Sequence, residues 1–281
     1  MKEQFATPEP IELYVELGSG SVGIEASDTD ETIVVVEGPR AEEFTVRHAD
    51  GKVSVHSPKE RFGLLGGHDA HDVRVGLPTG SDLVVKTGSA AVEATGGFGT
   101  VRAKTGSGDV EVDAATGPVV LATGSGELTC AEAADGLRAK TGSGDVEVGQ
   151  VAGTAAISTG SGDVEVGRSA DQLVVKTGSG DVTVNRARAD ASLISGSGSI
   201  TVRHISRGRA TLKSSTGDVR VGIPAGTPVW TDISSTTGRV ASNLPSAGRP
   251  GEGQDHLRLT VRTTTGDVLL AQSDDTEGRP Q

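Results

Sequence analysis

Carboxylates recur at one corner of a repeated Thr-Gly-Ser-Gly unit, at Asp109, Glu127, Asp145, Asp163 and Asp181. Stacked at strand spacing, such a column offers several oxygen ligands, the donor set that Ca²⁺ prefers. The local spacing argues against that use. Calcium-binding coils of the G-G-x-G-x-D-x-U-x type set Asp two positions beyond a glycine. Here Asp directly follows the second Gly, and the other half of each unit, for example Gly149 to Ile157, has no matching Gly-Asp loop. A solvated corner carboxylate that accepts turn amides is the favoured reading.

Other chemistry-bearing residues are weighed the same way. Lys86, Lys104, Lys140 and Lys176 precede the Thr-Gly corners and read as a solvated stripe that offsets repulsion in the acidic column. His68-Asp69-Ala70-His71-Asp72 brings metal-capable side chains close together, but without a cysteine it lacks a defined tetrahedral set. A structural or solvent role is expected there, with no metal and no cofactor. Cys130 stands in a column otherwise filled mainly by valine, which marks a buried core thiol. The repeated Gly-Ser-Gly lacks the G-x-S-x-G elbow, in the 18-residue units no third glycine follows to complete G-x-G-x-x-G, and Walker A is absent. No catalytic residue is assigned. Apart from the C-terminal loop, one stretch stands out from the repeat, where Arg186, Arg188, Arg203, His204, Arg207 and Arg209 turn a corner basic. These six residues are the candidate interaction surface for an acidic partner. They are also the one place where a β-helix enzyme acting on carbohydrate could place its site.

The elements that position these residues follow from the repeat. The first corner glycine falls at Gly88, Gly106, Gly124, Gly142, Gly160, Gly178 and Gly196, each step being 18 residues. Aligned units give apolar columns: Val92, Val110, Leu128, Val146, Val164, Val182 and Ile200, and two residues on Ala94, Val112, Cys130, Val148, Val166, Val184 and Val202. A second pair holds Val101, Val119, Leu137, Ala155 and Leu173, then Ala103, Leu121, Ala139, Ile157, Val175 and Leu193. Apolar and polar residues alternate within each pair, the period of a half-buried strand. Each unit therefore supplies two strands separated by glycine-rich corners. One unit cannot bury its own apolar face, so units must stack. The fold class predicted is all-β, a single-stranded β-solenoid (β-helix) of about 18 residues per coil. Roughly ten coils at the strand spacing of about 4.8 Å make a rod on the order of 50 Å long.

Four regions are expected: irregular coils and a cap over 1–80, the regular repeat over 81–211, longer coils with an inserted loop over 212–272, and a frayed tail over 273–281. Within the first, Ile33–Val36, Phe44–Val46 and Lys52–Val55 read as strands, and Pro58 through Asp72 as irregular. The stretch Asn243 to Gln254 reads as the loop, and Trp230, the sole tryptophan, is expected to plug the C-terminal end of the core.

Composition agrees. Among 281 residues there are 41 glycines and only six aromatics (Phe 4, Tyr 1, Trp 1), so the core must be thin. Glycine lacks a three-residue period, which excludes collagen, and Val-rich alternation argues against disorder. A formal charge of −12 argues against nucleic acid and suits a soluble protein that keeps away from anionic membranes and from self-association. One cysteine excludes an internal disulfide framework. With no signal region and no apolar run of membrane-spanning length, the expected location is cytoplasmic, without a direct membrane span.

The repeated Thr-Gly-Ser-Gly-Asp-Val-Glu-Val units, the segments Trp230–Ile233, Gly248–Gly251 and Thr265–Val268, and the opening Phe5–Ile11 resemble the bacterial DUF4097 family, the adhesin-like toastrack domains, in its actinobacterial form. The resemblance covers nearly the whole chain. It implies a β-helix-like fold wound right-handed, and it brings no catalytic residues. Three functions follow as expectations. The preferred one is a non-catalytic scaffold that presents strand faces to a protein partner or to itself. The alternative is an adhesin-like module binding carbohydrate or calcium, and the least favoured is a carbohydrate-active enzyme.

Overall fold

Alternating Val-x-Val segments too short and too glycine-rich for helix form strands throughout, and in the computed structural model they wind into a β-solenoid. The structure describes residues 1–58, 70–244 and 256–273. The chain divides into two compact units, Met1–Glu147 and Val148–Gln281. The sole helical element among the described residues is a short turn at Ala41–Glu43, so none is long and apolar enough to cross a membrane.

In the first unit, each regular coil gives one strand to each of two sheets. Strands Ala91–Phe98, Val110–Ala115 and Leu128–Ala133 pair in parallel in one sheet, with Val110 between Val92 and Leu128. Strands Asp82–Thr87, Val101–Lys104, Val119–Ala122 and Leu137–Lys140 pair in parallel in the other. The expected columns face one core: Val110, Val112, Val119 and Leu121 are each 1% exposed. A valine or leucine so buried contributes about 1.5–3 kcal/mol relative to exposure. A further buried column, Phe98, Ala115 and Ala133, escapes the sequence reading. Its small side chains break the apolar pattern, and the register shifts between Val112 and Ala114, so Phe98 falls out of step.

Coil order departs from chain order at the start of this unit. Strand Ser19–Ser27 lies between Ala91–Phe98 and Ala70–Pro78, and Glu12–Leu17 lies between Asp82–Thr87 and Lys52–His56. Antiparallel strands finish both sheets: Glu31–Glu37 and then Lys2–Ala6 on one, Thr45–Ala49 on the other. These outer strands carry exposed polar and charged side chains, which discourage pairing with another chain.

The second unit repeats the plan. Val164–Ser169, Val182–Ala187, Ile200–Val202, Val219–Pro224 and Val268–Ser273 form one parallel series. Ala155–Thr159, Leu173–Thr177, Ala191–Ser197, Gly208–Thr216 and Leu257–Thr265 form the other. The last strands to be made are not outermost: Leu257–Thr265 is inserted between Gly208–Thr216 and Val229–Ser235. Burial explains the exchange. Leu257, Leu259 and Val261 are each 0% exposed, as an inner strand requires, whereas Val229–Ser235 is a polar strand fit for an edge. Trp230 lies on that edge strand, 54% exposed, and does not plug the core as expected. Its strand alternation turns it outward. The irregular stretch from Pro58, the inserted loop and the frayed tail fall largely outside the described residues.

Candidate functional site

The repeated polar residues meet at the corners. The corner threonines Thr123, Thr141 and Thr177 are buried, and each spends its hydroxyl twice. Thr123 Oγ1 accepts from Gly126 N at 3.1 Å and donates to Gly108 O at 3.1 Å in the preceding coil. Thr141 repeats this with Gly144 N and Gly126 O, and Thr177 with Gly180 N and Gly162 O. The hydroxyl thus staples its own turn to its neighbour. Glycine is required beside it for space: a Cβ on Gly126 would stand 2.1 Å from Gly108 O, and one on Gly180 would stand 1.8 Å from Gly162 O.

The acidic column is engaged in the same way. Asp109 Oδ1 accepts Glu127 N at 2.8 Å, Asp163 Oδ1 accepts Asp181 N at 2.7 Å, and Asp181 Oδ1 accepts Ser199 N at 2.7 Å. Each reaches the amide of the next coil, 18 residues on, so these carboxylates join coil to coil. Asp218 and Asp267 extend the pattern to Asp267 N and Arg239 N. Among the described residues, no group of three or more His, Cys, Asp or Glu side chains is arranged to hold a metal ion.

Lys86 stands over Tyr14, 5.3 Å from the ring centroid. The lysine stripe lies on an outer sheet face, and among the described residues it makes no ion pair with the corner column that it was expected to offset. His68 and Asp69 lie outside the described residues. His71 is buried, donates from Nε2 to Pro39 O at 2.7 Å and sets its ring edge against Phe44. Asp72 accepts from Ser21 Oγ at 2.7 Å and pairs with Arg74. Cys130 is 1% exposed, and burial pushes its thiol up to about 11, only partly opposed by a backbone hydrogen bond from Glu132. Such a thiol is a poor nucleophile.

All six basic candidates lie in the second unit. The bridge of Ala187 to Ile205 sets Arg186 beside His204. Arg207 Nε donates to Arg188 O at 2.8 Å, and Arg209 N donates to Asp190 Oδ1 at 2.8 Å. His204 Nδ1 lies 3.3 Å from Ser273 Oγ. Arg203 is exposed just past Ile200–Val202. Arg168, directly paired with Arg186, joins this patch. It escaped the sequence reading although it precedes Arg186 by one repeat. Asp190, the carboxylate among these contacts, is engaged with the Arg209 amide.

The toastrack DUF4097 family model matches residues 9–276. The chain belongs to the toastrack DUF4097 family. No curated protein matches it. Solved structures of similar extent include a candidate adhesin of Bacteroides fragilis, at 15% identity, TM-score 0.42 and 96% coverage of each chain. Another is a candidate adhesin of Parabacteroides merdae, at 12% identity and TM-score 0.42, covering 97% of the toastrack chain and 96% of the other. A candidate lipid-binding protein of Parabacteroides distasonis matches at 13% identity and TM-score 0.40, over 97% and 96% of the two chains.

Proposed function

We propose that this toastrack protein is a non-catalytic interaction scaffold. The observation that carries the reading is the use made of the corner groups. The polar side chains that recur most, the threonines and aspartates, are committed to joining one coil to the next. What remains for another molecule is a set of flat strand faces bearing charged side chains. Calcium binding at the acidic corner is the weaker alternative, because one oxygen of Asp109, Asp163 and Asp181 is already occupied by an amide. An enzyme at the basic patch is weaker still, since its carboxylate and guanidinium contacts are structural.

The test is affinity capture by the purified chain, with and without Ca²⁺, alongside sedimentation of the chain alone. The scaffold reading expects either a reproducible protein partner or self-association, and indifference to Ca²⁺. A chain that is strictly monomeric and captures nothing would overturn it. Capture that depends on Ca²⁺ would move the assignment to the calcium-binding alternative.

A further inference from the structure

The regular coils of the first unit carry opposite charges on their two outer faces. Strands Ser19–Ser27, Ala91–Phe98, Val110–Ala115 and Leu128–Ala133 contain Glu25, Glu93, Glu111, Asp113 and Glu132 and no Lys, Arg or His. In the opposing sheet, strands Asp82–Thr87, Val101–Lys104, Val119–Ala122 and Leu137–Lys140 contain Lys86, Arg102, Lys104, Arg138 and Lys140. The single carboxylate among them, Asp82, is engaged with Thr100 N at 2.5 Å. The two sheets share one core, so these side chains look outward in opposite directions.

Both faces set like charges side by side. Glu93 is the direct partner of Glu111, and Lys86 of Lys104. At an inter-strand spacing of about 4.8 Å such pairs oppose folding. Among the described residues, Glu93, Glu111, Glu132, Lys104, Arg138 and Lys140 form no ion pair. These strands therefore carry two runs of like charge, of opposite sign and of equal period, bounded by Glu16 beside Lys86 on one sheet and by Arg74 beside Gly23 on the other. The acidic face also has room to receive long side chains. Gly23 and Gly76 have nothing above their backbone within 4 Å, and they lie in a trough of about 670 Å³ flanked by Glu25 and Glu93 and by the Asp72–Arg74 pair.

We infer that the occupant of each face is a second copy of this chain, the Lys/Arg face of one molecule docking on the Glu face of the next. Shared coil spacing lets the two ladders meet in register, each cation between carboxylates of the other copy. The contact is heterologous, since different surfaces meet, so it leaves one face open at either end and propagates into an array instead of closing as a symmetric dimer. The overall charge of −12 opposes association at long range. At physiological salt that repulsion is screened beyond about 8 Å, while directly opposed charges still attract. This deepens the scaffold reading and rests on it.

The experiment is sedimentation velocity on the full chain and on two charge-reversed variants. One carries Glu93→Lys, Glu111→Lys and Glu132→Lys, and the other Arg102→Glu, Lys104→Glu, Arg138→Glu and Lys140→Glu. Wild-type protein is expected to associate with rising concentration and to dissociate in about 1 M salt, where the Debye length falls to about 3 Å. Each variant alone has two faces of one sign and should associate at least about tenfold more weakly. An equimolar mixture of the two should associate again, which a merely misfolded variant could not do. If either reversed chain fails to fold, Glu→Gln and Lys→Gln replacements on the same residues are to weaken association without full reversal. A monomeric wild type, variants that associate like wild type, or folded variants that stay apart on mixing would each overturn the inference. A monomeric wild type that still captures another protein would sink self-association and leave the scaffold standing. One that captures nothing would sink both.

Discussion

Interior coils and terminal coils are made of the same strands and corners, yet they obey different rules. From Asp82 to Ala133 every strand pairs with the one a single coil away, and a corner glycine contacts the carbonyl of the coil before it. At the ends, Glu12–Leu17 and Leu257–Thr265 are inserted between strands that are distant in sequence. An interior coil is covered on both sides, so every position faces the same neighbours and identical residues are the solution. A terminal coil is covered on one side. Which strand moves inward is then a contest of burial, won by Leu257, Leu259 and Val261 over the polar Val229–Ser235.

The largest expected effect breaks an interior corner. Gly126→Ala puts a methyl where Gly108 O lies 2.1 Å away, and backbone cannot yield as a side chain can. A loss of about 3 kcal/mol or more is expected. At the strand position Gly23, by contrast, nothing lies within 4 Å, and Gly23→Ala is expected to stay within about 0.5 kcal/mol of wild type. Urea midpoints of the two variants measure the contrast. Equal losses would mean that interior corners are no more constrained than open strand positions.

Next in size is a pH effect in the interior core. The folded Cys130 thiol stays protonated to about 11, against 9.0 for an unperturbed thiol. Between these values the folded state holds a proton that the unfolded chain has released. Stability is therefore full below pH 9.0 and declines as pH rises toward about 11. Each pKa unit amounts to about 1.4 kcal/mol, so the decline is roughly 2–3 kcal/mol. Cys130→Val removes the titrating group, and the difference between wild type and variant should open across that window. A constant difference would refute the assignment.

The corner hydroxyl gives a finer comparison. Thr123→Val preserves shape but leaves Gly126 N and Gly108 O without their partner in a buried corner, an expected cost of about 2 kcal/mol. Ser235 makes the same two bonds in a terminal coil, to Gly238 N and Gly266 O, but is only half-buried. Water can replace that hydroxyl, so Ser235→Ala is expected to cost about 0.5–1 kcal/mol. Hydrogen exchange at the corner amides would separate the two.

The same division explains what could be read from the chain. The 18-residue step exposed the interior columns because stacking makes neighbours of residues one repeat apart, as with Val110 and Leu128. The acidic corner was also legible as an amide acceptor, although its reach into the next coil was not. Periodicity says nothing about a strand that pairs across some seventy positions, and so Val22 opposite Val92 could not be placed from the repeat. The buried column of Phe98, Ala115 and Ala133 was hidden for another reason: alanine carries too weak an apolar signal to mark a strand face. The opposed charged faces were missed because only the lysines and the corner carboxylates were read as columns, while Glu93 and Glu111 passed as polar members of the strand alternation. Only the two-sheet coil shows that Glu111 and Lys104 look away from each other.

The smallest expected effect concerns Trp230. A tryptophan closing the core would cost about 3–5 kcal/mol on truncation to alanine. The side chain is instead 54% exposed on an edge strand, beside Arg258 in the ladder. Trp230→Ala is therefore expected to shift stability by no more than about 0.5 kcal/mol. A loss of several kcal/mol would show that the terminal coil depends on this ring as interior coils depend on their valines. A neutral result would leave the ring as a surface feature of an edge whose position was decided by the leucines of the strand within.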